Sequence, residues 1–329
     1  MDKIDLISMG DASLDVFLTP TESDTFCEVH SHKSLLCFTY GDKIPVKNLA
    51  TSIGGNAANN AVGTKRLGVA SAAVLTLGDD DTGKEIESQL KEEGVDTSFI
   101  TRRPATSSNY STIISVAGER TIFTYKVPRE YEFPTLPTVP WVYLTSMGKS
   151  FRPFYKNLVE WVEGNPDIKL AFNPGSRQMR AGREAISDVL LASHIIYVNR
   201  GEAEVLTGIK NSQGKEKELL TALTKLGPKI QIVTDGHNGS FAYDRNRFLR
   251  IGILPVDAHE RTGAGDAFGS GCLAALIKGK PLREALLWGI VNSASVIGYS
   301  GAQQGLLKED EISTWLDRAR SSKVEVEEF

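Results

Sequence analysis

The chain has 329 residues, 41% of them hydrophobic and 24% charged, which suits one large globular domain or one domain with a small appendage. With 37 Lys and Arg against 41 Asp and Glu the formal charge is −4, so no basic field points to nucleic acid. No apolar run is long enough for a membrane span, no secretion signal opens the chain, and Cys27, Cys37 and Cys272 show no CxxC spacing; the expectation is a cytoplasmic enzyme or binding protein without a disulfide framework or structural zinc.

In chain order, residues 4–9 are a short apolar run ending at Gly10, predicted as a buried first strand with Asp11 and Asp15 at its end. Residues 17–53 mix β-branched, aromatic and polar side chains with turn signals at Thr19-Pro20 and Gly41-Asp42, which predicts short antiparallel strands leaving the main body. Gly54-Gly55-Asn56 opens a helix through Leu67, with Ala57, Ala58, Ala61 and Val62 forming a small-residue face for close packing. A strand over 69–77 and an amphipathic helix over 82–93 follow. Strands are predicted at 98–101, 110–116 and 121–125, with a hairpin turn at Ala117-Gly118-Glu119, and this second β-rich patch is expected to pair with the first.

From Trp141 onward strands alternate with helices. Strands are predicted at 142–144, 169–172, 195–198, 230–234, 240–243 and 248–256. Helices are predicted at 151–163, 180–191, 202–207, 215–226, 267–277, 282–297 and 309–320, and residues 321–329 are expected to fray. Such alternation implies a mostly parallel sheet covered by helices on both faces, with ligands at the carboxyl ends of the strands.

Several familiar motifs fail on inspection. Gly78-Asp79-Asp80-Asp81-Thr82-Gly83-Lys84-Glu85 nearly matches a P-loop, but Glu85 stands where a hydroxyl must reach Mg²⁺, and three aspartates would repel phosphates; the segment reads instead as a loop whose Asp or Thr caps the next helix. Gly263, Gly265 and Gly269 have GxGxxxG spacing late in the chain, which argues against a nicotinamide site. His30 and His32 are expected to be a solvated pair, and no GxSxG elbow supports a hydrolase.

What remains is a set of acids, amides and glycines at strand ends: Asp11 and Asp15; Asn56 and Asn59; Asn199 and Glu202; the turn Thr234-Asp235-Gly236-His237-Asn238-Gly239; and Thr262-Gly263-Ala264-Gly265-Asp266 at a helix entry. Taken alone, Asp266 reads equally as a helix cap. Together the residues would line one sheet edge. Short acceptors suit sugar hydroxyls, glycine turns and a helix N-terminus suit phosphates, and a carboxylate beside that terminus suits taking a proton from a hydroxyl. That combination describes phosphoryl transfer from a nucleotide to an alcohol.

At these residues the chain resembles the ribokinase-like (PfkB) carbohydrate kinases. The run 262–268 resembles the family's C-terminal signature, and 54–61 with Leu67-Gly68 its N-terminal one. Gly10-Asp11 with Asp15, Gly78-Asp79-Asp80 with Gly83, Asn173-Pro174, Asn199 with Glu202, and Gly301-Ala302 also fit in order. The resemblance implies an α/β fold: a mostly parallel central sheet flanked by helices on both faces (1–15, 51–106 and 128–329), with a small β-sheet lid (16–50 and 107–127). It implies that Asp266 is the general base and that the Gly263, Ala264 and Gly265 amides form an anion hole. Asp11, Asp15, Gly54, Gly55, Asn56 and Asn59 would hold the acceptor. Asn199 and Glu202 would act near Mg²⁺ through water, and Thr234, Gly236, Gly239 and Asn292 would line the ATP site.

Three departures stand out. Glu260-Arg261-Thr262 replaces the Asp-Thr-Thr of many members, so a monovalent-cation site does not carry over. A carboxylate at Asp235 would repel phosphate if it faced inward and is expected to point elsewhere. Asn56 stands where ribokinases often have Lys, so ribose specificity does not follow. The resemblance thus implies an ATP-dependent sugar kinase acting on a hydroxymethyl group, with a homodimer through the lid as a possible assembly. A nucleoside kinase marked by an aromatic contact from Phe38, Tyr40 or Phe123 is the alternative, and a non-catalytic sugar- or nucleotide-binding protein is a third reading.

Overall fold

The computed structural model describes residues 3–21, 26–30, 33–116, 119–258 and 261–329, setting aside the side chains of 26–30, 33 and 34. His32 and the side chain of His30, and so the expected histidine pair, lie outside the described residues, as do the turn at 117–118 and Glu260.

The chain starts with β1 (Leu6–Gly10) at the centre of the main sheet. It then leaves for β2 (Ser13–Pro20), the hairpin β3 (Phe26–His30) and β4 (Lys33–Cys37), and β5 (Val46–Gly54). It returns through α1 (Asn56–Arg66), β6 (Ser71–Gly78), α2 (Asp81–Glu92) and β7 (Thr101–Arg103). A second excursion makes β8 (Asn109–Val116) and β9 (Glu119–Tyr125). Then come β10 (Trp141–Leu144), α3 (Phe151–Glu163), β11 (Lys169–Phe172), α4 (Ser176–Ala181), α5 (Ser187–Ala192), β12 (Ile195–Asn199), α6 (Arg200–Thr207) and α7 (Glu216–Thr224). The chain closes with β13 (Ile230–Thr234), β14 (Ser240–Tyr243), β15 (Phe248–Ile251), α8 (Ala264–Ile277), α9 (Leu282–Val296), α10 (Ile312–Ser321) and β16 (Val326–Glu328).

Ten strands form the main sheet in the order β16-β15-β14-β13-β12-β11-β10-β1-β6-β7. From β13 to β7 every pairing is parallel, and β14, β15 and β16 extend it antiparallel. The central strands are buried on both faces because helices cover both, which is why they read as continuous apolar runs. Ile7, Met9, Val142, Leu144 and Phe172 pack on the α3 side, while Leu6, Trp141, Tyr143 and Ala171 pack on the α8–α9 side. α1 crosses α8 closely, and a Cβ added at Gly63 would come within 2.4 Å of the Ser270 hydroxyl.

The second sheet has the order β5-β2-β8-β9, with β2 and β8 parallel and the outer pairs antiparallel. Its strands overrun the expected limits: residues 13–15 and 51–54 belong to it rather than to the large sheet. The excursion therefore begins only two residues beyond β1, and Asp15 is a strand residue on one face of the small sheet.

Four other expectations are corrected. The helix expected over 180–191 is broken at Gly182, whose φ of 87° ends α4. The strand expected over 248–256 stops at Ile251. Pro255, which has no N–H for a ladder, follows, and the segment peels away. The helix expected to begin at Ala267 begins at Ala264, so Asp266 lies inside its first turn. The tail expected to fray instead pairs as β16, held to β15 by register pairs such as Arg250 with Glu327 and by their 2.7 Å ion pair.

Candidate active site

Because β1 lies between β6 and β10, the chain reverses its lateral direction there, and such a switch point opens a crevice at the strand carboxyl ends. The acids and amides singled out in the sequence gather at this edge. Asp11 follows β1 and is only 7% exposed; its Oδ1 accepts from the Tyr131 hydroxyl at 2.7 Å, and that hydroxyl accepts from the Gly148 N–H at 2.7 Å. Burial raises the Asp11 pKa, opposed by the Tyr131 hydrogen bond and by Lys126, Arg129 and Arg177. Asp15 on β2 accepts from the Ser13 hydroxyl at 2.8 Å and is likewise raised by burial.

The α1 entry provides the matching wall. Gly54 pairs with Ser13, and a Cβ there would lie 2.0 Å from Asp15 Oδ2, so the bare glycine makes room for the carboxylate. Gly55 is the N-cap of α1. Asn56 donates to Asn173 Oδ1 at 3.4 Å, and Asn173 in turn donates to the Tyr197 carbonyl at 2.8 Å. Asn59 donates from Nδ2 to Asp266 Oδ2 at 2.8 Å, and its own Oδ1 accepts from Gln303 Nε2 at 2.9 Å. Gln303, 6% exposed, completes this chain of three. Sequence reasoning stopped one residue short of it, at Gly301-Ala302.

Asp266 is the acid of this constellation. Burial raises its pKa to about 6; the Asn59 hydrogen bond opposes the shift and the Asp15 charge adds to it, so the two carboxylates sense each other across the crevice. The α8 entry turns at Gly263, whose φ of 77° and 2.5 Å approach of a hypothetical Cβ to Ala302 Cα both require glycine. Intrahelical bonding starts with Ala267 N–H donating to the Gly263 carbonyl at 2.8 Å. The N–H groups of Gly265 and Asp266 precede that bond, and such first-turn donors and the helix dipole favour an anion.

On the other side of this turn lies a cavity of 510 Å³. Thr234, Gly236 and Gly239 line it from the β13–β14 turn, and Ala264 and Gly265 from α8. Ile253 to Val256, Phe268, Ile290 and Ala294 make most of the rest of it apolar, and Arg261 lines it beside the Gly263 turn. The apolar wall was hidden from sequence reasoning because 253–256 read as strand. Asn292 is corrected: it does not reach the cavity. It is fully buried, donates to the Ala267 carbonyl at 2.8 Å and accepts from the Leu307 N–H at 2.9 Å, so it pins α9 to α8 and the following loop; Ser293 and Ala294 line the cavity instead.

Asn199 and Glu202 form a capping box at the start of α6: Asn199 Oδ1 accepts from the Glu202 N–H and Glu202 Oε2 from the Asn199 N–H, both at 2.9 Å. Burial raises the Glu202 pKa, against the Asn199 hydrogen bonds. Asp235 points away from the cavity toward Arg200, as expected. Asp80 accepts from the Gly83 N–H at 2.9 Å, capping α2, as the rejected P-loop implied.

The small sheet closes over this edge. With Asp15 opposite Ser111 and Ser111 opposite Thr124, its inner face carries Asp15, Phe17, Ser111, Ile122 and Thr124. Arg120 on β9 donates to the Thr262 hydroxyl at 2.5 Å, next to the Gly263 turn. Phe123 is corrected by register: it lies on the outer face with Tyr125 and Leu49, and Tyr40 is fully exposed. Among the described residues no group of three or more His, Cys, Asp or Glu could hold a metal, and no helix is long and apolar enough to cross a membrane.

Comparison with known proteins finds kinases of this fold. An ATP-dependent 6-phosphofructokinase of Thermoanaerobacterium thermosaccharolyticum is 26% identical over 290 residues, which cover 84% of this chain and 89% of that protein. The nucleoside kinase of Methanocaldococcus jannaschii, an archaeal member of the ribokinase family, superposes with a TM-score of 0.75 at 20% identity, over 97% of this chain and 99% of that one. An Arabidopsis thaliana ribokinase complexed with ribose and ATP superposes with a TM-score of 0.77 at 19% identity, over 95% and 99%. The model of the pfkB family of carbohydrate kinases matches residues 26–309, and the chain belongs to that family.

Proposed function

We propose that this kinase transfers the γ-phosphoryl group of ATP to a hydroxymethyl group of a sugar, with Asp266 as general base. The observation that carries the reading is the position of Asp266. It stands in the first turn of α8 between an acidic, amide-rich crevice and a cavity large enough for a nucleoside, and it is oriented by Asn59. A hydroxyl held by Asp11, Asp15, Asn56 and Asn59 would give its proton to Asp266 as the nucleophile forms. The Gly263, Ala264 and Gly265 turn would take the negative charge of the transferring group. The base would lie among Ile253 to Val256, Phe268, Ile290 and Ala294, with the phosphates along Thr234, Gly236 and Gly239.

Magnesium fits the Asn199–Glu202 corner mainly through water, because capping occupies Asn199 Oδ1 and Glu202 Oε2 and leaves a single carboxylate oxygen for the ion or its waters. When bound there it would screen charge between the phosphates. The small sheet acts as a lid that excludes water from the transfer, and Arg120 at Thr262 joins it to the anion-hole turn. Its outer face exposes Leu49 by 63%, Phe123 by 60% and Tyr125 by 58%, a surface suited to the same face of a second copy. An enzyme that consumes ATP works where ATP is regenerated, a requirement the cytoplasm meets.

A sugar is favoured over a nucleoside by the inner lid face. Its polar groups include Asp15, Ser52, Ser111 and Thr124, and its aromatic residue, Phe17, is buried against Gly301 rather than free to stack on a base. A coupled assay for ADP release over pentoses, hexoses, keto-deoxy acids and nucleosides tests the reading. Turnover is expected with a sugar; turnover confined to nucleosides would overturn it.

A further inference from the structure

Arg200 is the first residue of α6, between Asn199 and Glu202, and its guanidinium reaches three segments. Nη2 donates to Asp235 Oδ2 at 2.8 Å and to Glu216 Oε1 at 2.7 Å, and Nη1 donates to the Ser212 carbonyl at 2.8 Å. The guanidinium carbon lies 5.0 Å from the Phe241 ring centroid. Asp235 also accepts from Asn238 Nδ2 at 2.9 Å. The two side chains of the pair are only 16% and 13% exposed.

What makes the pair notable is the turn that carries Asp235. Thr234, Gly236 and Gly239 line the cavity and Asp235 does not, so a carboxylate sits within a cavity-lining turn and is drawn out of it by one guanidinium. In the parallel register Asn199 faces Thr234, which brings the α6 entry and this turn side by side. Arginine suits the task because its planar fork holds several acceptors in fixed directions. Removing one partner of a half-buried pair leaves the other charge uncompensated. Here that charge would stand beside the path of a polyanion.

We propose that Arg200 is a positioning residue for the nucleotide: by holding Asp235 out of the cavity it keeps the turn at 234–239 open to phosphates and locks that turn to the Asn199–Glu202 corner. This rests on reading the cavity as the nucleotide site. Arg200 itself touches no reacting atom. Its loss acts through Asp235, and the penalty falls on the charged part of the nucleotide and not on the nucleoside.

The test is calorimetric binding of MgATP and of adenosine to the full chain as wild type, Arg200→Met, Asp235→Asn and the double variant. Methionine keeps an aliphatic stem over Phe241. Arg200→Met is expected to weaken MgATP roughly tenfold, the scale of one uncompensated charge a few ångströms from a polyanion in a partly solvated site. Adenosine should change by less than about twofold, and adding Asp235→Asn should return MgATP to within about threefold of wild type, since removing the carboxylate removes the repulsion. Equal losses for MgATP and adenosine, or a double variant no better than Arg200→Met, would overturn the proposal, as would wild-type MgATP affinity in Arg200→Met. Arg200→Gln carries the same expectations should the Met variant not fold. A wild-type chain that binds no MgATP would instead overturn the nucleotide reading, and this inference with it.

Discussion

Asn59 and Asp266 are 207 residues apart in sequence and joined by a 2.8 Å hydrogen bond from the amide to the carboxylate. The bond ties the first turn of α8 to α1, and Gln303 extends it on the far side of Asn59. A donor on the carboxylate stabilises its charged form, while burial and the Asp15 charge do the reverse. The balance leaves the acid titrating near pH 6, so that it is mostly ionised at physiological pH and protonates just below it.

The pH dependence of turnover follows from that balance. A general base must be ionised, so kcat/KM should fall as pH drops through about 6, approaching tenfold per unit below it. A profile from pH 5 to 8.5 at saturating magnesium checks this. A flat profile down to pH 5 would mean that Asp266 does not carry the proton.

Asn59→Ala removes the one hydrogen bond that favours the charged carboxylate. The acidic limb should move above 6, by roughly half a unit to one unit, so kcat/KM should drop about two- to fivefold at pH 6 and less than about twofold at pH 7. At pH 8.5 the loss should be smaller. A loss independent of pH would assign Asn59 a role in holding the acceptor rather than in tuning the acid.

The same acid costs stability. Its folded-state pKa lies above the unfolded value, so the folded chain binds the proton more tightly. Stability is then fullest below about pH 4 and declines as pH rises through about 6. Asp266→Asn keeps an acceptor for Asn59 without the charge. It should raise the melting temperature at pH 8, by the equivalent of about 1–3 kcal/mol, and change little near pH 4. Thermal unfolding at both values measures it.

The outer face of the small sheet makes a separate prediction. Leu49→Asp with Phe123→Asp should convert a dimer to a monomer in light scattering without unfolding the chain, because both side chains are already exposed. A monomeric wild type would remove the lid-to-lid assembly.

Much of the large sheet was legible because its strands are short apolar runs bounded by turns. β11, β13, β14 and α3 begin and end where the pattern predicts. Local pattern failed where a distant partner decides. The tail is a strand only because β15 offers an edge, and the run after Ile251 is a cavity wall because Pro255 and the α8 entry draw it away. In the site, types and spacing placed the acids at one edge but not their partners. Gln303 and Tyr131 carry no local signature, and Arg200 reads as any helix-surface arginine until Asp235 is seen beneath it. Asn292 shows the converse, a polar residue in a helix whose partners turn it inward.

The most direct test of the account is phosphoryl transfer by Asp266→Asn, measured with the best acceptor of the substrate panel beside MgATP affinity. Removing a general base costs 10²–10⁴ in rate, so kcat should fall by roughly 10³ while the dissociation constant of MgATP changes by less than about threefold. Turnover within about tenfold of wild type, with MgATP bound normally, would contradict the assignment of Asp266 as the base.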